Sequence, residues 1–174
     1  MSTWHIRPAE HADLVALHPL MAGLQDVERT LHANRSVGAA MAGGHLEYLW
    51  QLTTRHDGLL ALAAAGAQPL GFVVVIIVDE DDGDQHLVPT ARRAGIITDL
   101  YVEPAARRRG IGAALLASAE RHCAARAVSV MRLTTLWANR AARAWYVRRG
   151  WQPYELSFEH RVAAAAADDA PERV

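Results

Sequence analysis

The chain has 174 residues, 51% of them hydrophobic and 21% charged, which suits one soluble globular domain. That composition excludes a disordered chain, a collagen-like fibre and a disulfide scaffold, and the single cysteine, Cys123, cannot close an internal bridge. Eighteen basic residues, all arginine, against nineteen acids give a net charge of −1, which points to neither a nucleic-acid nor a membrane partner.

Residues 1–7 lack a basic segment followed by an apolar one, so no signal peptide is read there and a cytoplasmic location is expected. Residues 3–7 read as a first strand ended by Pro8. Residues 9–18 read as a helix interrupted by Pro19. Residues 21–56 are helical in pattern but irregular, with Gly38 and Gly43-Gly44 as expected breaks. Leu46, Leu49, Trp50 and Thr53 recur at spacings of three and four, which predicts a second helix ending near His56-Asp57-Gly58. Residues 59–78 are twenty mostly apolar positions, long enough for a membrane span. Gly66-Ala67-Gln68-Pro69 divides them, and the β-branched run after Gly71 makes two adjacent buried strands the better reading.

Residues 79–93 form a long polar connection carrying an acidic run at 79–84, read as a solvated hairpin turn. A strand follows over 95–102, stopped by Pro104. A helix over 111–126 carries Ile111, Leu115, Ala119 and His122 on one stripe. A strand over 130–137, a helix over 140–149 and a last strand over 151–162 complete the pattern. Residues 163–174 form a low-complexity tail, apart from a domain spanning 1–162. Helical material, then strands, then alternating strand and helix predicts one mixed α/β sheet covered on both faces.

The segment richest in chemistry runs from Asp99 to Leu116. A strand feeds a turn of arginines and glycines, Arg107-Arg108-Arg109-Gly110-Ile111-Gly112-Ala113, which opens directly into a helix. Glycine lets backbone approach a ligand, and the first helical N–H groups have no partner within the helix. Those groups and the positive end of the helix dipole suit a pyrophosphate. The turn is neither a Walker A loop, lacking its lysine, nor a Rossmann fingerprint, lacking the third glycine.

The pattern Arg107-x-x-Gly110-x-Gly112 resembles the acetyl-CoA loop of the GNAT superfamily of N-acetyltransferases. Asn139-x-x-Ala142-x-x-x-Tyr146-x-x-x-Gly150-Trp151 resembles the downstream signature of the same superfamily, with Trp151 where phenylalanine is commoner. Between Arg92 and Arg149 there are 12 arginines and 3 acids, a local balance of +9 that suits polyanionic coenzyme A.

The resemblance implies a single GNAT-type domain: a mixed, mostly antiparallel sheet flanked by helices, with a splayed cleft for coenzyme A. It implies acetyl-CoA as co-substrate, no metal, and direct transfer of the acetyl group to a primary amine in a ternary complex. Tyr146 matches the tyrosine that protonates the departing thiolate, and Asn139 is expected on the pantetheine arm or at the helix N-cap. Arg107, Arg108, Arg109, Gly110, Ile111, Gly112 and Ala113 are expected around the pyrophosphate, with Arg143 at a phosphate or in a surface ion pair. Leu100, Tyr101 and Val102 are expected to offer backbone groups, with an N–H near Leu100 or Tyr101 polarising the thioester. Asp99 is the candidate base, with ordered water as the alternative. Simple alternation puts Asp99 on one face with Ile97 and Tyr101.

Glu47, Tyr48 and Trp50 are candidate acceptor contacts. A small-molecule amine is favoured over a protein as acceptor, and homodimerisation, common in the superfamily, is left open. Cys123 reads as a buried structural residue. The nine histidines show no metal-ligand spacing. Two rivals are a non-catalytic acyl-CoA sensor of the same fold, against which Tyr146 and Asn139 argue, and nucleic-acid binding through Arg107-Arg108-Arg109, against which the net charge argues.

Overall fold

The computed structural model describes residues 3–80, 83 and 86–162. They fall into two compact units, divided between Arg140 and Ala141, which are taken in turn. The tail at 163–174 and positions 81, 82 and 84 of the acidic run lie outside the described residues.

The first unit is built on a five-stranded sheet in the order β1 (His5–Pro8), β2 (Leu59–Ala65), β3 (Gln68–Asp79), β4 (Arg93–Val102) and β5 (Val130–Leu133). The first three pairings are antiparallel and β4 runs parallel to β5, so the sheet is mixed, as the order of elements predicts, and mostly antiparallel, as the resemblance implies. The apolar stretch 59–78 is the β2–β3 hairpin, turned at Gly66 with φ of 58°. The polar connection is shorter than expected. β3 pairs to its last residue, Asp79, against Arg93, and Pro89–Arg92 forms one helical turn, α3. A bidentate ion pair between the Asp79 carboxylate and Arg93 (2.7 and 2.9 Å) closes this end.

Two 18-residue helices cover one face, α1 (Leu14–Leu31) and α2 (Gly38–Arg55). Leu14, Leu17, Leu46 and Leu49 bury there with Leu60, Leu62, Phe72, Val74 and Tyr101 of the strands. Each fully buried leucine or phenylalanine contributes roughly 1.5–3 kcal/mol. α4 (Ile111–Ala124) covers the other face: a Cβ on Gly95 of β4 would lie 2.5 Å from the Cys123 sulfur of that helix. Cys123, not His122, completes the buried stripe of α4, and His122 Nε2 instead lies 2.8 Å from the Asp57 carbonyl.

Two expected breaks are absent. Pro19 lies inside α1 without ending it; the carbonyl it deprives of a partner, that of Val15, lies on an exposed face where water can serve. Gly43-Gly44 lies inside α2, where a Cβ on Gly43 would come within 3.2 Å of the His18 ring of α1. That glycine sets the close approach of two helices rather than a turn. Gly38 does mark a boundary, as the first residue of α2. Its N–H is capped across the helix pair by Asp26 Oδ1 at 3.0 Å, and a Cβ there would strike the Ala22 carbonyl.

Strand β5 is half the length predicted, and residues 151–162 form no strand and are almost wholly exposed. An alternating pattern specifies a strand only where a neighbouring edge takes up its backbone groups. In the second unit the described element is the body of α5 (Arg140–Val147). It ends where Gly150 adopts φ of 84°. The Trp151 N–H donates to the Tyr146 carbonyl (3.2 Å) and the Gly150 N–H to that of Val147 (3.0 Å), a Schellman cap. Glycine is required there, which explains the Gly150-Trp151 pair of the second motif in local terms. No helix among the described residues is long and apolar enough to cross a membrane.

Candidate active site

The glycine-arginine turn is shaped by backbone conformations that side chains resist. After Val102 the chain makes a short 3-10 turn, Pro104–Ala106, and buries Ala106. Arg108 then adopts φ of 60° and Gly110 φ of 83°, both left-handed, so the chain reverses within a few residues and enters α4. Gly110 occupies the N-cap position with no side-chain cap. The first helical bond from the turn runs from the Ala114 N–H to the Gly110 carbonyl at 3.0 Å. The N–H groups of Ile111, Gly112 and Ala113 therefore begin the helix without intrahelical partners. A Cβ at Gly110 would meet nothing closer than Trp4 at 4.0 Å, so the backbone here is approachable.

Arg107 points back into its own strand. Its Nε donates to the Val102 carbonyl at 2.9 Å, and its guanidinium carbon lies 5.6 Å from the Tyr101 ring centroid. The end of β4 and the start of the turn are thereby tied together. Arg108 and Arg109 are exposed beside it.

The strand itself is irregular where the sequence argument needs it. Val75 pairs with Ile97 but Val74 with Asp99, so Thr98 is an extra residue, a β-bulge. Simple alternation fails as a result. Ile97 stays in register with Gly95, whose face meets α4, while Asp99 and Tyr101 turn to the α1/α2 face. There Tyr101 sets its hydroxyl against Gly23 of α1. Asp99, only 11% exposed, approaches His45 of α2, with Oδ1 3.8 Å from Nε2.

The bulge also coincides with the opening of the sheet. β5 pairs with β4 only as far as Ile97–Leu133. Further along β4, the Glu103 N–H donates to the Leu70 carbonyl of β3 at 2.9 Å. By strand alternation Tyr101 and Asp99 turn their backbone groups to β3 as well, whereas Leu100 and Val102 aim theirs at the opposite edge. Among the described residues no strand pairs with that edge beyond Ile97. Arg107 already holds the Val102 carbonyl, which leaves the Leu100 groups facing the opening. Of the two N–H groups weighed from sequence, Leu100 is the one so placed.

The acceptor candidates separate. Glu47 is held by His11 (2.9 Å) and Gln51 (3.3 Å), contacts that keep its carboxyl below the usual carboxylate range. Trp50 meets the His11 ring edge-on and packs on the core. Tyr48 is exposed and stacks on His45, with centroids 5.9 Å apart. His45 is the residue that sequence reasoning passed over. Its signal was faint: it flanks the buried stripe Ala42, Leu46, Leu49, one turn before Tyr48.

Asn139 immediately precedes α5, at its N-cap position. In the second unit, Tyr146 touches the rings of Trp145 (5.0 Å) and Trp151 (5.9 Å), and burial pushes its hydroxyl pKa up to about 12. Arg149 lies over the Trp145 ring at 3.9 Å, and Arg143 is half-buried. Cys123 is buried against Gly95, and desolvation raises its thiol pKa, which suits a structural residue. Among the described residues no three His, Cys, Asp or Glu side chains converge as a metal site.

The sequence profile of the Acetyltransferase (GNAT) family matches residues 25–151. An uncharacterized N-acetyltransferase, YhfO of Bacillus subtilis strain 168, is 26% identical over 161 residues, covering 90% of this chain and 94% of that protein. A GCN5-related N-acetyltransferase from Ralstonia eutropha JMP134 superposes with a TM-score of 0.69 at 25% identity, over 91% of this chain and 99% of that one. The aminoglycoside N-acetyltransferase AAC(6')-Iy, solved in complex with CoA, shares the fold with a TM-score of 0.67 at 19% identity, over 94% and 97%. With the family profile matched over most of its length and its overall fold shared with a GCN5-related N-acetyltransferase, the chain belongs to the GNAT family of acetyltransferases.

Proposed function

We propose that this protein transfers an acetyl group from acetyl-CoA to a primary amine of a small molecule by direct attack in a ternary complex. The observation that carries the reading is the open edge of β4 at Leu100, which runs through an arginine turn into a helix start capped by left-handed Gly110. The N–H groups of Ile111, Gly112 and Ala113, with Arg108 and Arg109, would hold the pyrophosphate. Arg107 would order the turn, and Arg143 would reach a phosphate. The Leu100 N–H would polarise the thioester carbonyl and stabilise the tetrahedral oxyanion, while the Val102 N–H and Asn139 would position the pantetheine arm; Tyr101, expected beside them, has its backbone groups on β3 and would only support the strand.

An alkylammonium has a pKa of about 10, so the amine must lose a proton before it attacks. Asp99, beside the opening, would take it. Tyr146 would give a proton to the departing thiolate, and its raised pKa keeps the hydroxyl protonated at neutral pH. No metal takes part in this scheme.

Calorimetry with acetyl-CoA, free CoA and NADH tests the donor half: saturable binding of the first two but not of NADH is expected. Thiol release from acetyl-CoA with phenethylamine, spermidine, kanamycin and a free-amino tetrapeptide tests the acceptor half. Absence of acetyl-CoA binding removes the proposal. Binding without thiol release from any of the four leaves an acyl-CoA sensor.

A further inference from the structure

Asp99 presents a difficulty as a base. A carboxylate ordinarily titrates near 4 and an alkylammonium near 10, so a lone carboxylate holds the amine's proton about a millionfold too weakly. An imidazole, ordinarily near 6.5, is a better holder by about 2.5 units, a few hundredfold. The fold places one there. His45 Nε2 lies 3.8 Å from Asp99 Oδ1, within ion-pair range, and joins helix α2 to the bulged stretch of β4 that borders the opening.

The two side chains differ in access. Asp99 keeps 11% of its side-chain surface exposed and His45 keeps 33%, so the imidazole bridges a nearly covered carboxylate and solvent. Tyr48, one turn along α2 and itself exposed, stacks on the imidazole at 26° between ring planes and fixes its plane. Nearby ionisable groups are otherwise engaged: Glu47 of this helix with His11 and Gln51, while His18 of α1 lies against Gly43.

We propose that His45 is the positioning partner and proton exit of Asp99, receiving through that carboxylate the proton the acceptor amine loses. This rests on the N-acetyltransferase reading above. In balance, the ammonium sheds two protons as its nitrogen forms the C–N bond and the thioester C–S bond breaks. One passes from Asp99 to His45, once side-chain rotation brings the 3.8 Å pair to hydrogen-bond distance, and on to water. The other replaces the proton that Tyr146 gives to the thiolate. The Tyr48–His45 stack beside a carboxylate also favours a cationic acceptor with an apolar or aromatic body over a neutral one.

The test uses the full chain and the fastest of the four amines above. His45→Ala is expected to lower kcat at least thirtyfold, with acetyl-CoA affinity by calorimetry unchanged within twofold. Added imidazole should restore at least a tenth of the lost rate in His45→Ala but none in Asp99→Asn. His45→Gln, which keeps bulk and polarity, should remain slow. If His45→Gln turns over like the parent chain, or imidazole fails to rescue a folded His45→Ala that binds acetyl-CoA, the proposal is overturned while the N-acetyltransferase reading stands. If the parent chain releases no thiol with any of the four amines, both fall together.

Discussion

Arg107 and Val102 lie five residues apart yet close on one another: the arginine Nε donates to the strand's last carbonyl at 2.9 Å while its guanidinium lies over the Tyr101 ring. An arginine at the start of the turn thus acts as a clamp on β4. Arg107→Ala should weaken acetyl-CoA binding by roughly three- to tenfold in calorimetry. Because the side chain is exposed, the stability cost should stay near 1 kcal/mol or less. Arg107→Lys should recover little of the affinity, since an ammonium cannot bond and stack in one plane. Equal affinity in all three proteins would remove the clamp.

Gly110 adopts φ of 83° with open space around its missing Cβ, so its requirement is conformational rather than steric. Gly110→Ala should cost about 1–2 kcal/mol and lower both the melting temperature and acetyl-CoA affinity. Gly110→Asn, which tolerates the left-handed region better, should cost less. Thermal melts of the two variants compare them directly, and a more stable alanine variant would contradict the assignment.

Gly95 meets Cys123 across the β4–α4 interface with no room for a methyl group. Gly95→Ala should destabilise by about 1–3 kcal/mol, as over-packed cores do. Adding Cys123→Ala should recover most of that loss, a coupling readable in a double-mutant cycle by urea unfolding. Purely additive losses would place the strain elsewhere.

Tyr146 carries a hydroxyl whose pKa burial pushes up to about 12. An unfolded tyrosine ionises near 10, so the native state binds more protons than the unfolded one between these values. The neutral hydroxyl's contribution to stability is complete below pH 10 and is lost as pH climbs towards 12. Ultraviolet titration of the four tyrosines should show one late transition, absent in Tyr146→Phe. The same variant should lose turnover by roughly tenfold or more with acetyl-CoA affinity little changed. An unaltered rate would remove Tyr146 as the acid.

The hairpin at 59–79, the helix from Ile111 and the arginine-glycine turn were legible because their causes are local. A β-branched run, a turn glycine and an apolar stripe each act within a few residues. Pro19 and Gly43 misled for the opposite reason. One is tolerated because its side of α1 is exposed, and the other is used because α1 and α2 approach closely, facts that belong to neighbours distant in sequence.

The sequence by itself determined the motif, the order of elements as far as α5 and the mixed sheet, because backbone conformation and hydrophobic period are written position by position. Only the tertiary structure decided which face Asp99 takes and which residue meets it. A single extra residue at Thr98 reverses the alternation, and the helix that supplies His45 lies more than fifty positions earlier in the chain. Register across a bulge and contact between remote elements depend on packing energies summed over the whole core, which no local pattern encodes.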